Sequence, residues 1–163
     1  SWNGSTGAVT FGSINVTNAL GYTPANKAGD QFTGAISSSG SITGSALTSN
    51  TGVTVNTSSY ITTTTLTTAA AVTQVTVDTF ATATYRSAKY LAQMATSTAY
   101  HVIELRVLHD GTTVWLNQYG EIFTGSSLGT FDASITAGNL NLLFTPASAT
   151  VTTIKVVRTG IVV

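Results

Sequence analysis

The sequence predicts an all-β protein: a Gly/Ser/Thr-rich N-terminal segment, then an antiparallel β-sandwich of about eight strands. Three observations carry this. Hydrophobic residues make up 42% of the chain and charged residues only 7%, against roughly a quarter in ordinary soluble proteins. Thr and Val, which fit a pleated surface, are abundant throughout. The second half is a succession of short alternating runs punctuated by Asn, Gly, Pro and Ser, and Asp110-Gly111 sits between two of them as a hairpin signal.

Charge divides the chain. Lys27 and Asp30 stand alone in the first half, residues 31–77 carry no charge, and the other charged residues lie between Asp78 and Arg158. The expected division is therefore 1–70 and 71–163. The first part holds short β-like pieces bounded by glycine, such as GAVTFG and GAISSSG. None is long enough to build a core from one chain. Gly and Ser favour a linker, but the recurring Ile and Val favour ordering by copies of the same segment. Residues 57–68, TSSYITTTTLTT, are low in complexity and belong to this part by composition, although their β-branched residues favour extended backbone.

From residue 71 the elements follow in order. AVTQVTVDTF alternates as a strand. YRSAKYLAQMA contains good helix formers, but its flanks and neighbours place it as a strand. YHVIELRVLH and TTVWLNQYG form the hairpin around Asp110-Gly111. A two-residue turn there pairs His109 with Thr112, Val107 with Val114 and Leu105 with Leu116. One face is then Ile103, Leu105, Val107, Val114 and Leu116, a core face. The other carries Glu104, Arg106, Leu108, Trp115 and Asn117, with Arg106 opposite Trp115 in cation–π range. EIFTG, GTFDASI, LNLLFTP and TVTTIKVVRTGIVV complete the set.

Composition excludes several functions. Zero formal net charge offers no basic patch for phosphates, so no nucleic acid partner is expected. The absence of cysteine removes disulfide scaffolds, thiolate metal sites and cysteine nucleophiles. No apolar run approaches a bilayer span, so membrane insertion is not expected. The chain starts at Ser1 without an initiator Met and is expected to be a processed product or a piece of something longer.

No catalytic constellation is legible, and the expectation is that the protein is not an enzyme and has no cofactor or metal. Asp78, Glu104, Asp110, Glu121 and Asp132 read as solvated or ion-paired charges. His101 and His109 share strand parity but lie too far apart along one strand to share a metal. No nucleophile elbow, P-loop or dinucleotide fingerprint is present. The residues that suggest function are aromatic and polar. Trp115, with Arg106, Glu104, Asn117 and Tyr119, is the candidate receptor or glycan surface.

Two phrases at the N-terminus are specific. SWNGSTGAVTF (Ser1–Phe11) and VTNALGYTPANKAGDQFTGAI (Val16–Ile36) resemble consecutive phrases of bacteriophage tail-fibre proteins. The departures are Trp2, Ser5 and Gln31-Phe32 where Phe, Arg and Thr-Met or Thr-Phe are usual. TYRSAKYLAQ, HDGTTVWLNQYG, LGTFDASI and LLFTPASATVTTIKVVRTGI resemble a module of structural proteins in marine cyanobacterial phages. The resemblance implies a virion component on the tail or another external fibre, with a trimeric, intertwined N-terminal shaft. Its partners would be itself as a homotrimer, other virion proteins, and a glycan or protein of the host surface. Within that shaft, Pro24 would fix a rigid turn after Tyr22-Thr23. Lys27 and Asp30 would pair, setting register rather than stability. A structural connector, in a neck, baseplate or head-decorating fibre, is the alternative.

Overall fold

The computed structural model describes residues 48–163. The shaft phrases, the Pro24 turn and the Lys27–Asp30 pair therefore lie outside the described residues. Among the described residues nine strands follow in order: β1 (Val53–Val55), β2 (Ser59–Thr67), β3 (Val75–Ala81), β4 (Tyr85–Ala95), β5 (Tyr100–His109), β6 (Val114–Phe123), β7 (Gly129–Thr136), β8 (Asn139–Pro146) and β9 (Thr153–Val162). They form two antiparallel sheets, one of six strands in the order β1-β2-β9-β4-β5-β6 and one of three in the order β3-β8-β7.

The core lies between the sheets and follows from strand alternation. From the large sheet come Tyr90, Ala92 and Met94 of β4, Ile103, Leu105 and Val107 of β5, and Ile154 and Val156 of β9; from the small sheet come Val77, Phe80, Phe131, Leu140, Leu142 and Phe144. YRSAKYLAQMA is β4, and its alternate residues from Ala88 to Met94 are buried. Its good helix formers yield to this period-2 burial between two paired neighbours.

One buried ion pair joins the sheets. Arg158 Nη1 on β9 donates to Asp78 Oδ2 on β3 at 2.8 Å and to the Thr79 carbonyl at 2.9 Å. The Tyr90 hydroxyl and the Thr64 hydroxyl each donate to Asp78 at 3.0 Å. The guanidinium lies 5.2 Å from the Phe80 ring centroid and 5.5 Å from that of Tyr85. Burial, with the Asp78 charge beside it, pushes the Tyr90 hydroxyl pKa up. Asp78, read from sequence as solvated or ion-paired, is ion-paired, within a cross-sheet network on β3.

Three expectations change. The boundary expected between residues 70 and 71 moves, because the compact unit begins at Leu47 and β2 is bonded to β9 along its whole length. The Thr-rich stretch is a sheet strand with Thr64 and Leu66 facing inward, and it adds core contacts that a shaft would not. Second, the strands beyond residue 71, expected to be about eight, are seven, because Glu121–Phe123 continue β6 past a bulge at Gly120, where φ is +65°.

Third, the hairpin register differs by two residues. His109 pairs with Val114, Val107 with Leu116 and Arg106 with Asn117. Asp110 Oδ1 accepts from the Thr112 amide at 2.9 Å, the Thr113 amide at 2.7 Å and the Thr112 hydroxyl at 3.0 Å. These bonds, with Gly111 at φ +110°, close a four-residue loop rather than a two-residue turn. A slip of two keeps side-chain parity, so both predicted faces survive.

Candidate outer-face site

The outer face of the large sheet is ordered in rows set by the registers. One row runs Val55, Ser59, Ile161, Ser87, Leu108, Trp115; the next runs Val53, Ile61, Thr159, Lys89, Arg106, Asn117; the third runs Thr63, Val157, Leu91, Glu104, Tyr119. All five predicted site residues fall on the β5–β6 end of these rows. Trp115 is 53% exposed and Leu108 51%, high values for large apolar side chains on a rigid strand.

Beside them the polar groups are locked. Lys89 Nζ lies 2.6 Å from Glu104 Oε2. Arg106 Nε donates to the Tyr119 hydroxyl at 3.0 Å, and its guanidinium carbon lies 5.3 Å from that ring's centroid. The hydrogen bond from Lys89, with Tyr119 beside it, holds the Glu104 carboxyl below its ordinary range, and Glu104 in turn holds Lys89 above its own. The chain of contacts runs Lys89–Glu104–Tyr119–Arg106. Arg106 therefore meets Tyr119, not Trp115: the two-residue shift sets Arg106 opposite Asn117. Ser87, small between Ile161 and Leu108 in its row, opens a shallow cleft of about 360 Å³ bordered by Arg106, Leu108, Trp115 and Asn117.

Sequence reasoning missed Lys89 and Leu91 in this set. Both lie on β4, next to β5, but that neighbour relation depends on how the strands order in the sheet. Glu104 takes the cross-strand Lys89 as its ion-pair partner.

The two histidines are both inward and buried. His109 Nε2 lies 2.7 Å from the Tyr85 carbonyl. His101 Nδ1 accepts the Leu128 amide at 3.3 Å, which places the neutral ring's proton on Nε2, 2.9 Å from Glu121 Oε1. Burial lowers the His101 pKa, and Glu121 opposes that shift. Among the described residues no group of three His, Cys, Asp or Glu is arranged to hold a metal.

No protein-family model and no curated protein matches the chain. Among solved structures it is similar to the tailspike protein of the Acinetobacter baumannii bacteriophage Fri1, a capsular polysaccharide depolymerase, at 21% identity and a TM-score of 0.42 over 67% of this chain. It is also similar to the tailspike of another Acinetobacter phage, at 19% identity and a TM-score of 0.38 over 76% of this chain. A third is that of Acinetobacter baumannii phage AM24, at 11% identity and a TM-score of 0.34 over 61% of this chain. The chain spans 19%, 25% and 26% of the lengths of these three proteins.

Proposed function

We propose that the chain is a virion structural protein of the phage tail-fibre type that acts in host-surface attachment and catalyses no reaction. The observation that carries this is the outer face of β4–β6. An exposed Trp115 and Leu108 border a cleft beside a pre-organised Lys89–Glu104–Tyr119–Arg106 network. None of these side chains is needed to fill the core. A flat aromatic platform with fixed donors and acceptors beside it is chemistry suited to a sugar ring or a polar protein patch. The resemblance of residues 1–37 to tail-fibre phrases supports the same reading. In this reading the chain sits on the virion tail or another external fibre, as a homotrimer in contact with other virion proteins.

In this reading the partners are a host cell-surface glycan or protein, with no nucleic acid, no cofactor and no membrane insertion. Among the described residues no helix is long and apolar enough to cross a membrane. A second reading, a connector that meets only virion proteins, is favoured by one feature. The row Val55, Ser59, Ile161, Ser87, Leu108, Trp115, apolar but for its two serines, crosses the full width of the sheet, wider than a single sugar requires.

The test is binding of the full chain to a panel of purified bacterial capsular polysaccharides and lipopolysaccharides, for wild type and Trp115→Ala. Release of new reducing ends is followed in the same wells, since cleavage is the activity named for the Fri1 tailspike. Saturable binding that Trp115→Ala weakens about tenfold or more, without cleavage, supports attachment. Cleavage overturns the non-enzymatic part. No binding by either protein favours the connector.

A further inference from the structure

We infer that the open edge of β2, at Thr63, Thr65 and Thr67, is a strand-addition site for a second copy of this chain. The inference deepens the self-association part of the proposed function and rests on it.

The phase of the β2 ladder fixes which groups are free. The Thr68 amide donates to the Thr152 carbonyl at 2.9 Å, and Thr67 is the Cα partner of Thr153. Even residues of β2 therefore bond to β9. Odd residues turn their N–H and C=O to the opposite side. There β1 covers only Ser59 to Ile61. Thr63, Thr65 and Thr67 are left with donors and acceptors along one line and no strand against them among the described residues.

The chain's own adjoining residues are steered off this edge. Continuing the β1 register from Val53 opposite Ile61 would set Thr51 opposite Thr63 and Ser49 opposite Thr65. Instead the Ser49 hydroxyl donates to the Gly52 carbonyl at 2.7 Å and accepts its amide at 3.2 Å. The Thr51 carbonyl accepts from the Tyr60 hydroxyl at 2.6 Å and the Thr62 hydroxyl at 3.2 Å. Tyr60 and Thr62 are even residues, facing inward, so Thr51 is drawn to the inner side of the sheet. Gly52, at φ +145°, makes that departure.

Exposed edges usually carry a charge, a proline or a bulge against unwanted pairing. The other long edges in this fold do. β6 is bulged at Gly120 and tied down by Gln118 Nε2 donating to the Phe131 carbonyl at 3.3 Å. β3 shifts register between Thr76 and Asp78, and β7 carries Asp132. The β2 edge has none of these: its ladder to β9 is unbroken from Ser59 to Thr67 and it holds only Thr and Leu past Ile61.

The occupant is a strand from the uncharged run of a second copy. Residues 31–77 contain no charged side chain, so pairing within that run buries no unmatched charge. A charged partner strand would have to desolvate its ions against threonines that offer no counter-charge. A strand laid on Thr63–Thr67 has its backbone satisfied at three consecutive odd positions, the mode by which extended segments extend a sheet.

The experiment uses the full chain, with solution mass by light scattering across a dilution series and hydrogen exchange of the peptide spanning Thr63–Thr67. The main variant is Thr65→Pro, which removes an N–H that no strand among the described residues uses. Thr65→Glu is the second variant. It places a charge on the edge while facing Lys155 across the sheet, so the monomer keeps its fold. Both variants are expected to raise the dissociation constant of assembly about tenfold or more. In wild type, exchange at Thr63, Thr65 and Thr67 is expected to be slow only in the associated state. If wild type assembles and both variants assemble equally well, the edge assignment is overturned and self-association stands. A wild-type monomer at every concentration overturns both. A monomer with slow exchange at these amides shows that the chain's own strand covers the edge, which overturns the second copy as occupant.

Discussion

Replacing Asp78 with Ala should be among the most damaging single changes in this fold. The substitution leaves Arg158 with a side chain only 8% exposed. Its remaining hydrogen-bond partner is the Thr79 carbonyl, and the Tyr90 and Thr64 hydroxyls lose their acceptor. Removing one member of a buried pair typically costs about 3–5 kcal/mol, because the other charge stays buried without compensation. With a urea m-value of about 1–3 kcal/mol/M for a domain of this size, the unfolding midpoint should fall by about 2 M at pH 7. The double variant Asp78→Leu/Arg158→Met removes both charges and should be more stable than either single change. Urea unfolding followed by tryptophan fluorescence reads both. A midpoint lowered by less than about 0.5 M for Asp78→Ala, at unchanged slope, would refute the assignment of this pair as the link between the sheets. So would a double variant as unstable as the sum of the two singles.

Further outcomes follow from other sites. Gly129→Ala should destabilise by about 1–3 kcal/mol in the same assay, since its new methyl would meet the Phe144 ring and the Thr145 carbonyl. The Asp110 carboxyl should titrate at about 2 by NMR, held down by the Thr113 and Thr112 amides. Because the folded value is depressed, its contribution is present above the ordinary carboxylate range and lost as pH falls through about 2; a midpoint near 4 would contradict the turn. The His101 ring should titrate below 6.5, as burial dictates. Stability linked to it is full above 6.5 and is lost as pH falls through the folded value, and a titration above 6.5 would mean that Glu121 outweighs burial.

Where the sequence was legible, local chemistry and parity carried the information. Asp110-Gly111 marked the β5–β6 hairpin, and alternation separated Leu105 and Val107 from Arg106 and Leu108. The register error did not disturb the faces, because it was even-numbered. It did misplace one contact, because whether Arg106 meets Trp115 or Tyr119 depends on loop length, set by three hydrogen bonds to one carboxylate. The Thr-rich stretch was misread for a different reason. Thr62 and Thr64 face in and Thr63 and Thr65 face out, so one residue type occupies both faces and the period-2 signal vanishes. The absence of charge before Asp78 suggested a boundary, but Asp78 pairs across the sheets with Arg158, a contact made by residues 80 positions apart. The five candidate residues could be grouped from sequence because they share one hairpin; Lys89 could not, because it joins them only through the β4–β5 pairing.

The most direct test of the attachment surface is the side-by-side binding of wild type and Trp115→Ala to purified bacterial surface polysaccharides. Trp115 is half exposed and packs no core residue, so the variant should unfold within about 0.5 kcal/mol of wild type. Saturable binding by wild type is expected, weakened about tenfold or more in the variant, with no new reducing ends. Equal binding by the two proteins, or cleavage of the polysaccharide, would contradict the attachment reading.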